Sequence, residues 1–223
     1  MIDDLVALST ERRFVRGETI VGQGDPSSPL YLVRKGFVSL SVISETGREA
    51  IVDLAGPGDV FGEHWIFEPR PCPYRARALS DCRLGIVARD TLHALLERRP
   101  DLSLALLRVV ATRLQRTTEG LQHALLHDVP TRVGKRLAAL ARDHGTLVEG
   151  GVLVRASITQ EELARMVGAS RETVNKVIGR MTAGGLIRVK GGMYVIPDPL
   201  ALEAERANGA LRRAGNGDQE AVV

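Results

Sequence analysis

Long apolar runs are missing from this 223-residue chain, and with them any segment able to span a bilayer. Cysteine is scarce: Cys72 and Cys82 are too few for a disulfide framework and lack the spaced partners that a zinc site needs. An iron–sulfur cluster, which takes about four thiolates, is out of reach for the same reason. The opening MIDDLVAL is acidic and lacks the charged-then-apolar order of a secretion signal, so a reducing cytoplasm is the expected compartment. No glycine-rich phosphate loop of the P-loop or dinucleotide kind occurs. The five histidines, His64, His93, His123, His127 and His144, stand beside no convincing nucleophile, which argues against an enzyme.

What the chain does contain is uneven charge. Its formal net charge is +3, yet residues 129–198 hold eleven Lys/Arg against six Asp/Glu, leaving the remainder slightly acidic. A basic module joined to a mildly acidic one is the electrostatic footprint of a DNA-binding part attached to something else. The length suits two modest domains better than one.

The most informative stretch is ITQEELARMVGASRETVNKVIGRMTAGGLIRVKGGMYVI, Ile158 to Ile196. Thr159 with Glu162 three residues later forms a capping box, Leu163, Met166 and Val167 give one apolar face, and Gly168 supplies a turn. Ser170 caps a second helix in which Val174, Val177, Ile178 and Met181 recur at helical spacing. Small Ala164 allows the two helices to cross closely. The opposite face carries Arg171, Glu172, Asn175, Lys176 and Arg180, side chains able to reach phosphates and base edges from a major groove. An ordinary helical hairpin with a solvated charged face is the competing reading. Cap, turn, stripe and polar face agree on a helix-turn-helix.

Upstream, residues 13 to about 88 carry β signals. Short β-branched stretches are punctuated by Gly17, Gly22, Gly24, Gly36, Gly47, Gly56, Gly58 and Gly62, the pattern of a sandwich or roll. A short helix over residues 91–97 leads to a long one from Asp101 to Asp128. There, apolar or small residues alternate three and four apart through Leu107, Val110, Leu114, Thr117, Leu121 and Ala124. That is close to a coiled-coil seam, and it predicts pairing with a second copy. Gly120 marks a bend or a close approach. His123 and His127, four apart, pair on a metal at such an interface or stay solvated, the commoner outcome. The Asp128-Val129-Pro130 break separates the halves, a helix is expected over 131–143, and residues 145–154 are expected to be a loop or hairpin. The expected fold is α+β: a β-roll sensor over 1–100, a dimerisation helix over 101–128, a winged-helix domain over 129–198, and a partly disordered tail over 199–223.

Over nearly its whole length the chain resembles the Crp–Fnr family of bacterial transcription factors. The resemblance is carried by GQGDPSSPLYLVRKGFVSL and PGDVFGE in the roll, LQRTTEGLQHALLHDVPTRVGKRL across helix and hinge, and GASRETVNKVIGRM in the reader. LVEGGVLVRASITQEELARMVGASRETVNK is similar to actinobacterial members. The resemblance implies a cyclic-nucleotide-binding β-roll, a homodimer, and a winged helix on double-stranded DNA with a near-palindromic site. RNA polymerase is the implied further partner and no membrane is involved. It further implies that Arg171 and Glu172 read bases, that Ser170 and Thr173 lie near phosphate, and that Gly191-Gly192 turns a wing bearing Arg188 and Lys190 toward phosphates. Thr159 at the head of the first helix joins this group. Lys176 stands where the cyclic-AMP receptor has Arg, so the consensus is expected to differ at that base.

In the sensor, Gly62-Glu63 and Thr117-Thr118 match the family's nucleotide contacts. The phosphate-binding Arg and its following Ser or Thr fall instead on Cys72-Pro73, removing a charge-assisted fork. Arg70 or Arg75 is the available replacement, and His64 and Trp65 are expected to take up part of the pocket, Trp65 by packing. The effector therefore stays open between a cyclic nucleotide, no effector at all, and a redox or haem sensor. The redox version uses Cys72 with its pKa lowered by Arg70 and Arg75, against the plainer reading of a buried structural thiol. The haem version draws on His64, Cys72 or His93. Cys82 is expected in the core.

Overall fold

The computed structural model describes residues 2–26, 29–67 and 70–203; the expected disorder in the tail concerns residues that lie, from 204 on, outside the described ones. The chain divides into two compact units, with the break between Leu121 and Gln122. Among the described residues no helix is long and apolar enough to cross a membrane.

The first unit begins with a helix that the β-rich pattern did not announce, α1 (Ile2–Leu8), which buries Leu5. Eight strands follow: β1 (Thr10–Phe14), β2 (Thr19–Val21), β3 (Leu30–Lys35), β4 (Val38–Ile43), β5 (Glu49–Ala55), β6 (Val60–Phe61), β7 (Arg75–Ala78) and β8 (Cys82–Val87). They form two four-stranded antiparallel sheets, ordered β1-β8-β3-β6 and β2-β7-β4-β5. Alternation explains the sandwich. Val38, Leu40, Ala76 and Ala78 face inward from one sheet and meet Tyr31, Val33, Phe61 and Leu84 from the other. Trp65 and both cysteines complete this core.

Between β6 and β7 lies the short helix α2 (His64–Phe67). Gly62, just before it, has φ +91°, and a Cβ there would stand 2.5 Å from the Pro29 carbonyl. Only glycine fits that corner. After β8 come α3 (Arg89–Arg98) and the long α4 (Pro100–Leu126). Leu92 and Leu106 pack with Leu5, Leu30, Leu32, Val60 and Val87 on the outer side of the first sheet.

In the second unit, α5 (Val129–His144) is capped by the Asp128 side chain, which accepts from Thr131 N–H at 3.1 Å, with Pro130 in the first turn. The break expected at Asp128–Pro130 is thus a helix start, where proline lacks an N–H that would be unpaired anyway. The 145–154 stretch is a hairpin, β9 (Gly145–Val148) and β10 (Gly151–Val154). Then follow α6 (Gln160–Val167), α7 (Arg171–Ala183), β11 (Arg188–Lys190), β12 (Met193–Ile196) and α8 (Pro199–Glu203). The strands form one sheet, β11-β12-β10-β9. The first residues of the expected tail form α8, where Leu202 is buried and its side chain lies beside Gly134 of α5.

Candidate nucleic-acid interface and effector site

Thr159 and Glu162 form the reciprocal capping box at the head of α6: the Thr159 hydroxyl accepts from Glu162 N–H at 3.1 Å, and Thr159 N–H donates to the Glu162 carboxylate at 2.7 Å. Gly168 ends α6 in the left-handed region (φ 63°), so the chain reverses within a few residues. Ser170 then accepts from Thr173 N–H at 3.1 Å and starts α7. Leu163, Ala164 and Val167 are buried with Val174, Val177, Ile178 and Met181, which fixes the rotation of α7. That rotation leaves Arg171, Glu172, Thr173, Asn175, Lys176 and Arg180 exposed together. Gly191 and Gly192, both at positive φ, turn the β11–β12 hairpin in two residues.

One reader candidate is placed differently from the rest. The Arg188 guanidinium donates to the Gly150 carbonyl in the β9–β10 turn, tying the wing to that hairpin. Lys190 is exposed and makes the better phosphate candidate.

In the roll, Glu63 is 6% exposed and its Oε1 accepts from Arg113 of α4. The same guanidinium donates through Nε to Asp53 Oδ2 at 3.1 Å and through Nη2 to the Val60 carbonyl at 2.9 Å. Burial works against the Arg113 charge, yet the Glu63 and Asp53 carboxylates outweigh it and hold its pKa above the ordinary value. Neither Arg113 nor Asp53 was singled out from the sequence. The available signals were an acid within the apolar strand EAIVDLA and an arginine one turn before Thr117.

The other expected pocket residues divide. His64 packs against Trp65 (ring centroids 4.0 Å) and meets Tyr74 edge-on (5.2 Å); burial lowers its pKa. Thr117 and Thr118 are exposed on α4, each hydroxyl donating to the carbonyl four residues back at 2.9 Å. Arg70 is exposed and accepts, through its carbonyl, from Trp65 Nε1 at 2.6 Å. Arg75 is paired with Glu49, not aimed at the roll interior. Trp65 is core, as expected.

Cys72 corrects the redox reading. It is 2% exposed, and its thiol donates to the Tyr74 carbonyl at 2.8 Å. Burial pushes its pKa up to about 11, the reverse of the lowering that Arg70 and Arg75 were expected to supply. Alkylation with iodoacetamide at pH 8 is expected to run roughly 100-fold slower in the native protein than in urea, since the thiolate is the reacting form. Equal rates would contradict the placement. Of the haem candidates, His93 is exposed on α3, His64 is half-buried against Trp65 and Cys72 is buried. Among the described residues no three His, Cys, Asp or Glu are grouped to hold a metal.

Two family models match the chain: "Cyclic nucleotide-binding domain" over residues 11–99 and "Crp-like helix-turn-helix domain" over residues 131–205. The chain is 40% identical over 185 residues to a CRP-like cAMP-activated global transcriptional regulator of Mycobacterium tuberculosis, covering 83% of each. This chain belongs to the Crp–Fnr family. The family's regulator Vfr of Pseudomonas aeruginosa, named as cAMP-activated, is 29% identical over 200 residues, 87% of this chain and 92% of that one. The c-di-GMP-responsive global regulator CLP of Xanthomonas campestris superposes with a TM-score of 0.72 at 27% identity, covering 88% of this chain and 98% of that one. FixK2 of Bradyrhizobium japonicum, at 22% identity and 0.78, shares the fold over 87% of this chain and 95% of its own. The chain is accordingly a DNA-binding transcriptional regulator of that family with an N-terminal sensor domain, a long helix and a C-terminal helix-turn-helix.

Proposed function

We propose that the chain acts as a cytoplasmic homodimeric, sequence-specific regulator that presents two copies of α7 to major grooves one helical turn apart on a near-palindromic site. The observation that carries this is the coincidence, on one face of a doubly capped helix, of six exposed polar residues backed by four buried apolar ones. Arg171 and Glu172 read base edges in this scheme, Asn175, Lys176 and Arg180 extend the reading face, and Ser170, Thr173, Thr159 and Lys190 lie along the phosphates. Enriching bound duplexes from a random pool tests it: a paired motif with half-sites about ten base pairs apart is expected. Absence of any enriched motif counts against the reading.

Dimerisation is supported by α4. Leu107, Val110, Leu114 and Leu121 recur at seam spacing on its surface, and Leu114 is 67% exposed in the single chain. Among the described residues a Cβ on Gly120 would meet nothing within 4 Å, which leaves room there for a second copy. Leu107→Glu with Leu114→Glu is expected to convert a sedimenting dimer to monomer and weaken binding to a two-half-site duplex by roughly 100-fold, as the linked second contact is lost. A variant that stays dimeric refutes the seam.

The β-roll is proposed to bias the α4 pairing, and thereby the readers, through a ligand that prefers one of two states. RNA polymerase is the partner expected downstream of DNA binding. The domain model and the Mycobacterium relative's name favour a cyclic nucleotide as that ligand. The side chains around Glu63 favour something else.

A further inference from the structure

Around Glu63 most hydrogen-bond donors are spent, the exception being His64 Nε2, which is buried with no partner among the described residues. Gly62 N–H donates to the Tyr74 hydroxyl at 3.0 Å, Cys72 N–H to the Asp25 carbonyl at 2.9 Å, and the Cys72 thiol to the Tyr74 carbonyl. Pro73 has no N–H to offer. The Arg113 guanidinium is divided among Asp53, Glu63 and the Val60 carbonyl. Arg75 Nε is buried without a partner among the described residues, but Arg75 alternates with core-facing Ala76 and Ala78 and so lies on the other face of β7. On the acceptor side, Glu63 Oε2 is buried with no partner among the described residues. Two carboxylates share one guanidinium, so negative charge is in excess.

A buried, unpartnered carboxylate oxygen calls for a donor. A hydroxyl or an ammonium group supplies one. A phosphate supplies none and brings like charge into a partly desolvated place. We propose that the roll site selects against anionic ligands, that Asp53 sets this selection, and that the effector class it fits is an uncharged or cationic hydrogen-bond donor. Asp53 is decisive because Glu63 alone would balance Arg113. The second carboxylate, from β5, is what tips the site negative. This inference rests on the reading of the roll as the effector site.

The test pairs cyclic AMP with adenosine, which share base and sugar and differ in the charged phosphate. Each is titrated calorimetrically into the full chain without DNA, in the wild type and in Asp53→Asn. The amide oxygen still accepts from Arg113, so the fold is retained; Asp53→Ser, without that oxygen in the same place, is the second variant. Cyclic AMP is expected to gain at least about ten-fold in affinity in both variants, the effect of removing a unit charge several ångströms away at intermediate dielectric. Adenosine is expected to change by less than about three-fold. Unchanged cyclic AMP affinity overturns the proposal, and so does a parallel gain for both ligands, which would mark Asp53 as merely structural. Silence from both ligands in every variant overturns the roll-site reading and this proposal together. Cyclic AMP binding that the variants leave unchanged removes the charge selection alone.

Discussion

Arg113→Met should destabilise the first unit by about 3–5 kcal/mol, the usual cost of stripping the partner from a buried ion pair. The guanidinium, Asp53 and Glu63 are 20%, 12% and 8% exposed at the side chain, so solvent screens little of the loss. The substitution leaves two carboxylates facing each other and strands the Val60 carbonyl as well. Thermal unfolding read by circular dichroism should fall by roughly 10–20 °C for a unit of this size. Adding Asp53→Asn and Glu63→Gln to Arg113→Met should recover much of the deficit, because the stranded charges are what the single variant pays for. If the triple variant melts no higher than the single one, lost packing rather than unpaired charge is the cause. Arg113 also joins α4 to β5 and β6, so hydrogen exchange in the middle of α4 should quicken in the single variant ahead of global unfolding.

The second large effect lies in the reader. Arg171→Ala should weaken binding to the selected duplex by about 1–3 kcal/mol per half-site, relax the preference at one base pair, and leave random-sequence DNA nearly untouched. The asymmetry follows from where the side chain sits. Arg171 is exposed at the first position of α7, directly after the Ser170 cap, where a helix entering the major groove meets base edges first. Lys190→Ala should do the opposite, weakening all sequences alike and flattening the salt dependence by about one counterion. Equal losses for Arg171→Ala on specific and random duplexes would move Arg171 to the phosphate backbone.

The reader was legible because its signals are local. A capping box spans four residues, the apolar stripe repeats within two turns, and a glycine pair specifies a two-residue hairpin; each is written in consecutive letters and each is found in place. The strands of the roll were legible as a class for the same reason, through alternation and glycine punctuation. The leading helix was not, since among its described side chains only Leu5 is fully buried and seven residues give periodicity little room. At the proposed roll site the expected residues included Glu63, which is buried, but not Arg113 and Asp53, which meet there. Its decisive contacts join residues 50 and 60 positions apart, and nothing in a single sequence says that Arg113 meets Glu63 and Asp53. Cys72 shows the same limit from the other side. Flanking arginines suggested an activated thiol, but β7 turns Arg75 toward Glu49 and the thiol is sealed against a carbonyl.

The bond from Arg188 to Gly150 carries a mechanical consequence. It reaches from the outermost strand of the sheet to the turn between the other two strands, across β12. Strand β9, which leads into that turn, bears Leu147, which is 84% exposed, so an apolar side chain and the wing sit on one sheet. Removing that bond with Arg188→Ala should leave the sheet folded and let its two edges rock independently.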